Sequence, residues 1–98
     1  MRKKLIGKVG VDSGKLIITD PVRINQNLVD EVQKSMYKSG LDNQLYDQLY
    51  YNTGHPGLAV IFSSGLGDGV YNVYATFEDI PDWGERITKV EIELIQED

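Results

Sequence analysis

The chain has 98 residues, 41% of them hydrophobic, and its 15 acidic against 10 basic residues give a formal charge of −5. That length suits one domain with a single core, and the acidic balance argues against duplex nucleic acid, whose phosphates recruit basic surfaces. Without cysteine there are no disulfides or zinc–thiolate sites, and without an apolar segment behind the opening MRKK, or any run near the ~20 residues that span a bilayer, a soluble cytoplasmic protein is expected.

In chain order, Lys4 to Val11 reads as a first strand, with Leu5, Gly7, Val9 and Val11 on one face and Ile6, Lys8 and Gly10 on the other. Its glycines suggest a bulge or a close backbone approach. Asp12-Ser13-Gly14 has turn chemistry, and Lys15 to Thr19 follows as a second strand, so the opening reads as a tight hairpin ended by Asp20-Pro21. From Asn27 the period changes. Leu28, Val32 and Met36 recur every fourth residue among Asp30, Glu31, Gln33 and Lys34, which predicts an amphipathic helix capped by Asn25 or Asn27. Leu41, Leu45 and Leu49, with Tyr46 and Tyr50 beside them, predict a second helix over Leu41 to Tyr51, although Tyr46, Tyr50 and Tyr51 suit a strand as well.

A loop from Asn52 to Gly57 leads into the stretch around which the rest is organised. Leu58 to Phe62 and Val70 to Phe77 are rich in β-formers, and Ser63-Ser64-Gly65-Leu66-Gly67-Asp68-Gly69 between them offers the positive φ of a reversal. They are expected to pair as an antiparallel hairpin, with Tyr71, Val73, Ala75 and Phe77 on one face. After a Pro- and Gly-punctuated connection, Glu85 to Ile95 alternates, placing Thr88, Val90, Ile92 and Leu94 opposite Lys89, Glu91 and Glu93. The order ββ-α(α)-βββ predicts an α+β fold, a mainly antiparallel sheet of about five strands with one or two helices on one face. A small β-barrel or sandwich with the middle segment inserted is the competing fold.

Two blocks carry a likeness. Val11-Asp12-Ser13-Gly14 leading to Asp20-Pro21 is one; Gly67-Asp68-Gly69-Val70-Tyr71-Asn72-Val73-Tyr74, with the closing strand Arg86 to Ile92, is the other. Together they resemble a group of small bacterial and phage-encoded proteins of unknown function, and the resemblance implies a phage or prophage origin while carrying over no catalytic or binding residue.

Candidate chemistry is sparse. The glycine loop lacks the strand–loop–helix context of a dinucleotide fingerprint, so Gly67 and Asp68 are expected to serve a turn first and to form at most a lip over a ligand. Asp12, Asp20 and Asp68 each sit in a turn, where an aspartate ordinarily bonds nearby backbone; His55, the only histidine, has no nucleophile motif beside it. The aromatic residues are more suggestive: Tyr46, Tyr50, Tyr71, Tyr74 and Trp83, with Arg23 and Arg86 supplying charge and His55 in a neighbouring loop, are the candidates for a pocket that takes a nucleotide-like molecule.

The expected function is that of a small non-catalytic binding module without cofactor or metal, homo-oligomeric because so short a chain offers little concave surface. In its most concrete form it is a sponge for a nucleotide-type host immune signal. The alternatives are an inhibitor that grips a host protein through a sheet edge or apolar patch, and a small hydrolytic or metal-assisted enzyme using Asp12, Asp20, Asp68 or His55.

Overall fold

A computed structural model describes residues 1–36, 45–51 and 56–95. It is α+β and antiparallel, with six strands in two three-stranded sheets rather than one sheet of about five. In order these are β1 (Arg2–Val11), β2 (Lys15–Thr19), a single 3-10 turn (Pro21–Arg23), α1 (Gln26–Met36), β3 (Tyr46–Tyr50), β4 (Pro56–Ser63), β5 (Gly69–Ile80) and β6 (Gly84–Ile92). The chain divides into two compact units, Met1–Gly14 with Gly65–Asp98, and Lys15–Ser64.

The first unit holds the sheet β1-β5-β6 and the second the sheet β2-β4-β3. Neither expected glycine hairpin forms. β1 pairs with β5, not β2; β4 pairs with β2 and β3, not β5. The glycines do adopt the left-handed backbone expected of them, Gly14 at φ 72°, Gly65 at 62° and Gly67 at 116°, but such a bend can carry a chain from one sheet to another as well as reverse it. Long-range pairing decides between the two, and no local pattern encodes it. The tight β5–β6 hairpin instead turns at Pro81-Asp82-Trp83. Trp83 N–H donates to the Ile80 carbonyl at 2.9 Å, with Asp82 at φ 70° and Gly84 at 79°. Proline followed by a left-handed residue is the pattern of a type II turn.

In the second unit Asn25 is the N-cap: its Oδ1 accepts from Leu28 N–H at 3.1 Å. Leu28 is buried, and Val32 and Met36 pack beside it on a core of Leu49, Leu58, Ala59 and Ile61, as the four-residue spacing requires. The helix expected over Leu41 to Tyr51 is corrected in part. Tyr46–Tyr50 is strand β3, bonded along β4, and residues 41–44 lie outside the described residues. Aromatic residues fit a pleated surface that buries Leu49 at 3% exposure, and that packing overrides the helical spacing. Ser35, buried near the end of α1, donates from Oγ to Asp47 Oδ2 at 2.7 Å and ties helix to strand. On the other face of this sheet Ile18 and Tyr46 are exposed.

In the first unit two bulges reassign faces. The register runs Leu5↔Tyr74 and then Gly7↔Val73, and on the far side Thr76↔Lys89 and then Phe77↔Ile87. Each bulge shifts the alternation by one residue. Leu5 therefore leaves the face of Gly7, Val9 and Val11, and Ile87 replaces Thr88 beside Val90 and Ile92. β6 also starts at Gly84 and stops at Ile92, short of the expected Ile95, although Glu93 N–H still donates to the Asn72 carbonyl at 3.2 Å.

Candidate functional site

The two faces of the β1-β5-β6 sheet differ sharply in chemistry. Directly opposed residues of neighbouring strands share a face. One face therefore collects Val9, Val11, Tyr71, Val73, Ala75, Phe77, Ile87, Val90 and Ile92, with Arg2 and Lys4 at its β1 side and Asp79 and Glu85 near the β5–β6 turn. Ala75, in the central strand, is fully buried, whereas Ile87 and Val90 are 54% and 56% exposed. Arg2 lies across the Phe77 ring, 5.3 Å from its centre, and pairs with Glu85 at 2.9 Å. Among the described residues this unit contributes no helix to cover its apolar face.

The opposite face is polar. The Lys3 ammonium sits 5.0 Å from the centre of the Tyr74 ring and 3.5 Å from Glu91, which Lys89 also meets at 3.5 Å. Asn72 donates to the Tyr74 hydroxyl at 3.2 Å, and the Thr88 hydroxyl donates to the Glu78 carboxylate. These solvated pairs contribute little stability, each at most about 1 kcal/mol. Their consequence is contrast: a wet face and an apolar one on the same three strands.

Among the described residues each unit also holds a concavity. One, of about 530 Å³, lies at the glycine-segment end of the first sheet between Lys8, Asp68, Val70, Asn72 and Glu93. Tyr71 borders it and donates its hydroxyl to the Gly67 carbonyl, which fixes the glycine segment over the sheet. The other, of about 460 Å³, lies in the second unit between Glu31, Lys34, Asp47 and Tyr50. In each, two carboxylates face one ammonium group. A polyphosphate gains most from guanidinium clusters and exposed backbone N–H groups, so neither lining suits one.

Among the sequence candidates, Gly67, Asp68 and Tyr71 gather at the first concavity and Tyr50 borders the second. Tyr46 is exposed on β3. Arg23 stacks on Tyr51, its guanidinium 4.5 Å from the ring centre. Tyr74 belongs to the polar face. Trp83, 67% exposed, and Arg86, which donates to the Glu85 carbonyl at 3.0 Å, sit at the β5–β6 turn. Ile80 lies nine positions beyond Tyr71 along extended β5, about 30 Å, so Trp83 and Arg86 cannot share a small ligand with Asp68 and Tyr71. His55 lies outside the described residues.

Of the turn aspartates, Asp20 does bond its own segment, accepting from Val22 N–H at 3.0 Å. Among the described residues no three His, Cys, Asp or Glu side chains gather as a metal site, and no helix is long and apolar enough to cross a membrane. What sequence reasoning missed is Ile87 with Arg2 and Lys4. A strict two-residue alternation puts Ile87 on the polar side, and only the cross-strand register reveals the bulge that moves it. Comparison with protein-family models, with curated proteins and with solved structures gave no match.

Proposed function

We propose that this chain is a non-catalytic binding module that holds a partner protein against the apolar face of the β1-β5-β6 sheet. One observation carries the reading: Ile87 and Val90 stand exposed beside Val73, Phe77 and Ile92 on a sheet face to which its own unit, among the described residues, brings no helix. Contiguous exposed apolar surface is costly in water and marks interaction sites. On the resemblance to phage-encoded proteins, the partner would be a host protein. Cross-linked capture from bacterial lysate, with wild type and an Ile87→Ser/Val90→Ser variant as baits, tests it. A protein retained by the first and lost by the second is the expected result; identical catches from both baits would remove the reading.

Capture of a nucleotide-type host signal is the second reading, favoured by the Arg23–Tyr51 stack, which offers a cation and an aromatic plane side by side. A thermal-shift panel of cyclic dinucleotides and ADP-ribose derivatives tests it: the reading requires a rise in Tm that Arg23→Ala abolishes, and an unmoved Tm across the panel ends it. The hydrolytic or metal-assisted alternative would draw on Asp12, Asp20, Asp68 or His55. It predicts turnover that is lost in Asp68→Asn with the fold intact.

A further inference from the structure

We infer that β6 is a self-complementary edge through which two copies of this chain join, their sheets continuing into one of six strands. β6 is the outer strand of its sheet, so one of its sides carries unpaired backbone groups. The donation from Glu93 N–H to the Asn72 carbonyl fixes which residues those are. In an antiparallel ladder hydrogen-bonded pairs alternate with unbonded ones. With Asn72 and Glu93 bonded, Tyr74↔Glu91 and Thr76↔Lys89 bond as well, so Ile92 and Val90 turn their backbone groups outward. The bulge at Thr88 then brings Ile87, opposite Phe77, outward too.

Setting Ile87 of one copy opposite Val90 of the other across a two-fold axis matches backbone, apolar side chains and one charge pair, and brings Lys89, already paired with Glu91, near its own copy at the axis. Both backbones bond, both side chains fall on the apolar face, and the same alignment places Arg86 opposite Glu91 on the polar face, twice over by symmetry. Without the bulge, Arg86 and Glu91, five positions apart, would point to opposite faces; with it they share one. Arg86 donates to the Glu85 carbonyl, and among the described residues it meets no carboxylate of its own. The other edge, β1, is unsuitable for the same pairing. Arg2, Lys3, Lys4 and Lys8, with no acid among them, would repel their own copies.

This joint stands apart from the partner-binding reading, because it uses the edge and leaves the apolar face open. Sedimentation equilibrium on the full chain tests it, with circular dichroism reporting the fold of each variant. Wild type is expected to be dimeric. Arg86→Glu alone and Glu91→Arg alone each set two like-charge pairs across the axis and weaken association about tenfold or more. Mixed in equal amounts, the two variants complement each other and recover the dimer. Val90→Pro removes an outward N–H without touching the β5–β6 bonds, and is expected to be a folded monomer. A monomeric wild type, a mixture that fails to associate, or a folded Val90→Pro chain that stays dimeric would each overturn the proposal.

Discussion

At Gly65 two constraints meet: its φ is 62°, and a Cβ there would overlap the Leu94 carbonyl oxygen. That oxygen is backbone, so neither strain nor overlap relaxes cheaply. Gly65→Ala should cost about 2 kcal/mol or more in urea unfolding. Gly7 is the internal control. Nothing lies within 4 Å of its missing Cβ, and Gly7→Ala should be neutral or gain up to about 1 kcal/mol, as expected inside a strand. Asp82 carries the opposite burden, a side chain held at φ 70° in the β5–β6 turn. Aspartate tolerates that region better than branched residues, so Asp82→Gly should keep or slightly raise Tm, while Asp82→Val should lose about 1–2 kcal/mol. The glycines in these segments were legible as markers of unusual backbone, whereas among the described non-glycine residues it is Asp82, not the expected Asp68, that takes a positive φ. Which partner strand each bend delivers was not legible, because φ is a property of one residue and pairing is a property of two distant segments.

Elements read from periodicity fared according to how local their cause is. α1 follows from Leu28, Val32 and Met36 and from the Asn25 cap, all within a dozen residues, and the structure places each as expected. β3 was harder. The leucine spacing from Leu41 favours a helix, yet Leu49 gains more by facing Ala59 and the α1 core from a strand. Leu49→Ala should therefore cost about 2–5 kcal/mol by chemical denaturation, the range for emptying a close-packed site. Asn25→Ala should cost about 1 kcal/mol through the lost cap. The bulges in β1 and β6 leave no trace in an alternating pattern beyond the glycine beside the first. For that reason Leu5 and Thr88 were assigned to the wrong faces and Ile87 to none, while Tyr71, Val73, Ala75 and Phe77 on unbulged β5 were placed correctly.

At the scale of the molecule, each unit holds its own share of the candidate chemistry, and within the first unit that share is spread along the sheet. Arg23 stacks in one unit, Asp68 and Tyr71 border a concavity in the other, and Trp83 and Arg86 lie a strand's length from them. Composition had pointed to aromatic residues because they are conspicuous in a short acidic chain. The face proposed to take a partner is mainly aliphatic, of side chains that a sequence reader assigns to a core, with Tyr71 and Phe77 among them. Its apolar face and its edge β6 belong to the same three strands, so pairing at the edge brings two copies of the face side by side and doubles the area offered to a third molecule. Amide hydrogen exchange measured residue by residue across a dilution series tests this most directly. The account predicts that Ile87 and Val90 are protected at high concentration and exchange freely on dilution, while Glu91 stays protected throughout. Exchange at Ile87 and Val90 that is fast at every concentration would contradict it.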